Sequence, residues 1–342
     1  MVCLSATRER DAARPMKICI YGAGAIGGHI GGHLARAGAD VSLIARGPHL
    51  EAIRRNGLRV IAGEADFTAP VRATDDPSEL GPQDYVFVTL KSHQVEGVLP
   101  AMQSLLGPET AVLPPTTGIP WWYFHGLKGP HEGTRLPELD PGDAQWNAIG
   151  PERAIGCAFW TAAEVTEPGV VRQDGARASY PIGEPSGETT PRLARLVEAM
   201  TAGGLHAPIQ ADIRGQIWTK MINSLCWNQA AFLTEAINGR FADAPDAVDV
   251  VRRMMTEMEA VATSLGATIP TPMEKRVAMT VRSVDHTMSM LQDLQRGRPI
   301  EIDVLAQSVA AMSRISGAPT PTVDALLAMT KLKGRIRGVY AG

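Results

Sequence analysis

Ile18-Cys19-Ile20-Tyr21-Gly22-Ala23-Gly24-Ala25-Ile26-Gly27-Gly28-His29-Ile30-Gly31-Gly32-His33-Leu34-Ala35 is the stretch on which the fold turns. An apolar run of strand character enters a glycine turn, and the turn opens into a helix. Gly22 permits the tight strand-to-helix turn, Gly24 lets backbone N–H groups approach a pyrophosphate, and Gly27 lets helix and strand pack closely. Ala23, Ala25 and Ile26 fill the turn between them, and the phosphates belong at the positive end of the helix. A glycine turn used only for packing is the plainer reading. It does not account for three glycines at these offsets inside a β-α-β frame: the helix ends near Ala37-Gly38-Ala39-Asp40, and a second strand, Val41-Ser42-Leu43-Ile44-Ala45, follows.

That second strand runs into Arg46, where an NAD-preferring site usually carries Asp or Glu for the ribose 2′-hydroxyl. No acid stands between Asp40 and Glu51. A guanidinium offers several donors and a fixed positive charge to a 2′-phosphate, so Arg46 favours NADP(H) over NAD. Its bland role is that of a solvated arginine at a strand end.

The 342 residues suffice for about two domains with sizeable cores. A formal charge of −3 without a basic stripe removes the electrostatic footprint of a nucleic-acid binder. Cys3, Cys19, Cys157 and Cys226 show no paired spacing and read as free thiols of a reducing compartment. The histidines form no metal pair on a helix face, so no metal is expected. Residues 1–15 mix Arg8, Glu9, Arg10 and Asp11 and read as a disordered extension rather than a signal peptide. No apolar run approaches the roughly 20 residues of a membrane span, and a cytoplasmic protein is expected.

The α/β pattern continues through a strand at 85–90 with the exit Lys91-Ser92-His93-Gln94, and a strand at 111–113 whose exit includes Thr117-Gly118. Ligands of open parallel sheets gather outside the carboxyl ends of strands, so both exits are expected at the cofactor crevice. Between 121 and 150 lies a Gly-, Pro- and acid-rich stretch opened by Trp121-Trp122-Tyr123-Phe124. Its aromatic cluster reads as a small satellite core, with a lid over the substrate as the alternative. Short strands are expected over 154–184 and a helix from 191 or 192 to 202. Further helices are expected from 213 past 232, and over 247–265, 273–294 and 302–316. The change from alternating β/α to all-helical places a boundary near 208, giving a Rossmann-type dinucleotide-binding domain at 16–208 and an all-α domain at 209–342.

On the long helix Lys220, Ser224 and Asn228 recur every four positions, opposite Met221, Ile222 and Leu225. A solvated face would carry several charges. One lysine among Ser, Asn and Trp reads as the lining of a cleft. Ser289 lies farther on in Ser289-Met290-Leu291-Gln292-Asp293, and Glu301 follows the break Arg296-Gly297-Arg298-Pro299 and is expected in the first turn of a new helix. As ordinary helix residues, Ser289 would be unremarked and Glu301 would complement a helix dipole by about 0.3–1 kcal/mol.

Together these segments resemble the ketopantoate (2-dehydropantoate) reductases. The resemblance runs from Met16 to about Gly338 and rests on GAGAIGG at 22–28, Arg46, LKSHQ at 90–94, IWTK at 217–220, Asn228, Asn238-Gly239, SMLQD at 289–293 and EID at 301–303. It implies an NADPH-dependent reduction of a small 2-oxo acid, most directly 2-dehydropantoate to pantoate, in a cleft between the two domains. Lys220 would be the general acid, Glu301 would orient it or the substrate, Ser289 would hold the substrate carboxylate, and Asn228 and Asn238 would fix the remaining oxygens. Lys91, Gln94, Thr117 and Glu301 would complete the cofactor site, and the resemblance admits a homodimer. The chemistry asks for the same residue types, because hydride delivery to a 2-oxo acid generates an alkoxide that needs a proton donor and positive charge, and lysine is protonated at neutral pH. Thr117-Gly118 stands where the family usually has Asn-Gly, and Ser224 where it usually has Asn, with Asn223 displaced by one. Those departures bear on substrate identity and rate. A reductase of a bulkier or aromatic 2-oxo acid is the second enzyme reading, and a non-catalytic NADP-binding regulator the reading from another class.

Overall fold

The computed structural model of the protein describes residues 14–115 and 117–341. The extension expected over 1–15 thus lies outside the described residues except for Arg14 and Pro15, as does Cys3; the Arg14 guanidinium pairs with Asp84 at 2.6 Å. The described residues form two compact units, one of 14–115 with 145–211 and one of 117–144 with 212–341.

In the first unit the chain runs β1 (Lys17–Tyr21), α1 (Ala25–Arg36), β2 (Asp40–Ile44), α2 (Gly47–Asn56), β3 (Leu58–Ala62), β4 (Ala65–Ala69), β5 (Arg72–Thr74), β6 (Tyr85–Val88) and β7 (Ala111–Leu113). Five strands make a parallel sheet in the order β5-β2-β1-β6-β7. Ile18 to Tyr21 and Tyr85 to Val88 are buried throughout, as expected of central parallel strands covered on both faces. After 145 come β8 (Gly156–Cys157), β9 (Trp160–Glu167), β10 (Val170–Ser179), β11 (Ile182–Gly183) and α3 (Pro191–Ala202). A second sheet, β4-β3-β10-β9, joins segments more than a hundred residues apart through the parallel pairing of β10 with β3.

Helix α1 packs on both sheets, and its glycines are the reason it can. A Cβ on Gly31 would stand 2.9 Å from Ile20 of β1 and Leu43 of β2. On the adjoining row, a Cβ on Gly28 would stand 2.7 Å from Val171 of β10, and one on Gly32 would collide with Val60 of β3. Residues four apart share a helix face, so each glycine row admits one sheet.

The second unit is helical: α4 (Ile213–Thr234), α5 (Pro245–Ser264), α6 (Met273–Arg282), α7 (Ser289–Gln295), α8 (Asp303–Ser316) and α9 (Pro321–Ile336). Helix α4 opens on Asp212, whose carboxylate accepts the Gly215 N–H at 3.1 Å, and it is buried on most of its circumference.

Three expectations change. The helix expected over 273–294 is two, because the segment between α6 and α7 is drawn onto the Asn238-Gly239 pair: Asn238 N–H donates to His286 O and Gly239 N–H to Val284 O, each at 3.0 Å. A Cβ on Gly239 would stand 2.7 Å from Val284 O, which is why glycine occupies that position. Residues 117–144 pack with the helical unit rather than within a continuous 16–208 domain. Strands β3 to β5 and helix α9 complete the architecture beyond the elements read from sequence.

Candidate active site

The turn from Gly22 to Gly27 links β1 to α1 as the sequence predicts, with Gly24 as the N-cap. Gly22 has φ +107°, a conformation that strains any residue bearing a side chain. A Cβ on Gly27 would collide with the Gly22 carbonyl oxygen and the Thr89 hydroxyl, whereas a Cβ on Gly24 would meet nothing within 4 Å. No side chain caps the N-terminus of α1, which leaves its first N–H groups to solvent or a ligand. That is the shape and polarity a pyrophosphate requires.

The carbonyls of this turn are engaged elsewhere. Thr89 Oγ1 donates to Gly22 O at 2.6 Å, and the His49 ring Nε2 lies 2.8 Å from Ala23 O, while Ala23 N–H donates to Ile44 O at 2.9 Å. Neither Thr89 nor His49 is among the residues read from sequence. Each reaches the turn from a different strand or helix, and no local pattern marks it.

Arg46 is exposed at the head of α2, in extended backbone at φ −140°. Its charge is felt at the end of β1: burial pushes the Tyr21 phenol up, Cys19 adds to this, and Arg46 opposes it. After β6, Lys91 N–H donates to Gln94 Oε1 at 3.2 Å and Gln94 N–H to Lys91 O at 2.9 Å. The exit is therefore a closed turn in which the Gln94 carboxamide oxygen is committed to the backbone.

In the second unit Lys220 and Ser224 are half-buried along one face of α4 and Asn228, one turn on, is 4% exposed. Asn228 Nδ2 donates to Ser224 O at 2.8 Å, and its Oδ1 accepts from Met290 N at 2.9 Å and from Ser289 Oγ at 3.2 Å. The carboxamide thus ties the stripe carrying Lys220 to the start of α7, where Ser289 is the exposed first residue. Asn238 is 2% exposed, and among the described residues its Oδ1 has no hydrogen-bond partner. A buried carboxamide oxygen in that condition is an acceptor suited to a hydroxyl.

Glu301 is half-buried but lies two residues ahead of α8 rather than in its first turn. Thr117, half-buried, precedes Gly118, where a Cβ would stand 2.6 Å from Ser308 Oγ. Ile119 N–H donates to the same hydroxyl at 2.9 Å, which itself donates to Val304 O at 2.7 Å. Thr117 is therefore fixed against α8, the helix that follows Glu301.

Asn223, the displaced asparagine beside Ser224, points elsewhere. Its Oδ1 accepts from Arg276 Nη1 at 3.1 Å, and Arg276, 2% exposed, also donates to Thr271 O and pairs with Glu259. Asn223 belongs to a buried joint of α4, α5 and α6. It does not replace the carboxamide missing at 224.

Trp121, Trp122, Tyr123 and Phe124 are all under 5% exposed. Trp218 Nε1 donates to the Tyr123 hydroxyl at 2.7 Å and Arg214 Nε to Tyr123 O at 2.7 Å. The segment is core of the helical unit, anchored by the tryptophan of the Ile217-to-Lys220 motif, and the alternative of a lid is set aside. Cys19, Cys157 and Cys226 are buried. Among the described residues no group of three or more His, Cys, Asp or Glu could hold a metal, and no helix is long and apolar enough to cross a membrane.

Residues 18–119 match the family described as ketopantoate reductase PanE/ApbA, and residues 212–334 match its C-terminal counterpart. The 2-dehydropantoate 2-reductase of Mesorhizobium japonicum is 45% identical over 95% of this chain and all of its own length. A provisionally assigned ketopantoate reductase from Ralstonia solanacearum superposes with a TM-score of 0.88 at 36% identity, covering 96% of this chain and 100% of its own. A D-mandelate dehydrogenase solved with NADH and anilino(oxo)acetate shares the fold, with a TM-score of 0.76 at 24% identity over 95% of this chain and 100% of its own. With its dinucleotide turn, its helical second unit and these end-to-end matches, the chain belongs to the ketopantoate reductase family of oxidoreductases acting on CH–OH groups.

Proposed function

We propose that the protein reduces a small 2-oxo acid to the 2-hydroxy acid, 2-dehydropantoate to pantoate first among them, with NADPH as reductant. The observation that carries this reading is the Asn228 clamp, which joins the stripe of Lys220 to the helix start bearing Ser289. The full-length relative named 2-dehydropantoate 2-reductase supports the substrate, and Arg46 without a neighbouring acid supports the 2′-phosphate.

Bound NADPH would supply the hydride. Gly22 to Gly27 would hold its pyrophosphate and Arg46 its 2′-phosphate, with Lys91, Gln94, Thr117 and Glu301 completing the site. Reduction places negative charge on the former carbonyl oxygen, and Lys220 would donate the proton that makes it a hydroxyl. Ser289 would donate to the substrate carboxylate. Asn238, with its buried acceptor, would receive a substrate hydroxyl, and Glu301 would orient Lys220 or the substrate. Asn228 is occupied by Ser224, Ser289 and Met290, so its part is to hold Ser289 in place.

Thr117 and Ser224 carry hydroxyls that reach less far than the carboxamides of the asparagines usual at these positions, which favours a second reading, a bulkier 2-oxo acid. The aromatic segment does not add to it, being core. Steady-state oxidation of NADPH and NADH over a panel of 2-oxo acids tests both readings. Highest kcat/KM with 2-dehydropantoate and NADPH is expected; preference for an aromatic acid would transfer the assignment, and NADPH binding without turnover of any acid would leave a regulator.

A further inference from the structure

We propose that His49 is a positioning residue for the dinucleotide: it fixes the plane of the Ala23–Gly24 peptide so that Gly24 N–H, not Ala23 C=O, faces the pyrophosphate. This rests on the reading of the glycine turn as the NADPH site.

The tautomer of His49 follows from its two neighbours. Gly169 N–H donates to His49 Nδ1 at 3.0 Å, so Nδ1 carries a lone pair. The proton then resides on Nε2, which donates to Ala23 O at 2.8 Å, where only an acceptor is available. A neutral imidazole satisfies both bonds; a protonated one would set two donors against each other at Nδ1. The ring is half-buried, and that burial holds its pKa below the ordinary histidine value.

The consequence lies in the peptide, not the ring. A trans peptide is planar, with C=O and N–H pointing in opposite directions. Anchoring Ala23 O on His49 therefore aims Gly24 N–H away from His49. The position of Gly24 is open, with nothing within 4 Å of where a Cβ would stand, and Gly24 is the N-cap of α1, where no side chain takes up the first N–H groups. The preceding peptide is fixed at both ends, Gly22 O by Thr89 and Ala23 N–H by Ile44 O. The Ala23–Gly24 peptide has only His49 to hold its carbonyl among the described hydrogen bonds. Glycine on its far side permits a flip that would turn a carbonyl dipole toward the phosphates and remove a donor from them.

His49 also joins three pieces of the site. It lies in the first turn of α2, three residues after Arg46, and it bridges the glycine turn to Gly169 at the tip of the β9–β10 hairpin. Gly169 has φ +81° and a carbonyl that accepts Arg59 N–H at 2.9 Å, so the donor facing Nδ1 is itself fixed. The element that follows the 2′-phosphate residue thereby sets the geometry of the pyrophosphate turn.

Two conservative variants separate the two bonds. His49→Gln can still donate to Ala23 O, and His49→Asn can accept from Gly169 N–H but is too short to reach Ala23. NADPH affinity, read by fluorescence titration, and kinetics at saturating NADPH are compared with wild type, with urea unfolding as the check on folding. His49→Asn and His49→Leu should weaken NADPH binding about tenfold or more, and His49→Gln by less than about threefold. All three should keep kcat at saturating NADPH and the KM of the 2-oxo acid within about twofold. Equal affinities for the Gln and Asn variants, unchanged affinity in all, or losses that follow unfolding midpoints alone would each overturn the proposal. Wild-type protein that binds no dinucleotide would instead overturn the reading of the turn on which it rests.

Discussion

Lys220 stands half-buried midway along a helix that is buried on most of its faces, with Ser224 and Asn228 on the same side at successive turns. If it is the proton donor, Lys220→Ala should lower kcat by about 10²–10⁴ while the Kd for NADPH stays within about twofold. A parallel fall in NADPH affinity would mean that the substitution had damaged more than the acid. Asn228 gives a different signature because its carboxamide is consumed by protein partners. Asn228→Ala removes the acceptor for Met290 N–H and Ser289 Oγ, releasing the residue assigned to the substrate carboxylate. The KM for the 2-oxo acid should rise about tenfold with a smaller change in kcat, and NADPH binding should hold. Equal damage to kcat and KM would place Asn228 on the reacting oxygens instead.

At the scale of elements, α1 offers two glycines with opposite expectations. An added methyl on Gly32 collides with Val60 of β3, and overpacking of this kind costs about 1–3 kcal/mol, so Gly32→Ala should lower the urea midpoint. Gly24 has φ −71°, which alanine adopts, and open space at its Cβ position. Gly24→Ala should leave the midpoint unchanged and weaken NADPH binding about tenfold or more, because the methyl stands where phosphate approaches. Loss of stability in both, with no separate loss of affinity, would reduce the turn to a packing device. The turn, both strands beside it and α4 were legible because each is local, a glycine spacing, an unbroken apolar run, or a helical pattern with polar residues every four positions. What was not legible depends on distant partners. The break between α6 and α7 carries no Gly or Pro, and is imposed by hydrogen bonds from Asn238 and Gly239. Trp121 to Phe124 left core and lid open, and Trp218 and Arg214, about ninety residues on, decide for core. His49 is a lone histidine in sequence and becomes informative only when Ala23 and Gly169 meet its two nitrogens.

For the molecule as a whole, acid is the condition to which its histidines expose it. Among the described residues His29, His33 and His49 have pKa values held below the ordinary histidine range, chiefly by burial. His29 is the extreme case: it is 2% exposed, neither ring nitrogen has a hydrogen-bond partner, and burial followed by the neighbouring His33 pushes it down to about 3. The two rings meet edge to face with centroids 4.6 Å apart, His33 Nδ1 rests on Gly203 O at 2.7 Å, and the Arg36 charge lowers His33 further. The native state keeps His29 neutral while the unfolded chain takes up a proton near the ordinary value of about 6.5. Its contribution to stability is therefore complete above about pH 6.5, is lost as pH falls below it, and levels off near the native value of about 3. Between those limits one such group costs about 1.4 kcal/mol per pH unit, and from about pH 6.5 to about pH 5 most carboxylates remain ionised, so histidines dominate the titration there. The urea midpoint should thus decline from pH 7 to pH 5. His29→Leu removes the titration together with two buried, unpartnered nitrogens, so its midpoint at pH 7 should be no lower than wild type and its decline toward pH 5 shallower. Parallel declines in the two proteins would place the acid sensitivity outside the α1 histidines.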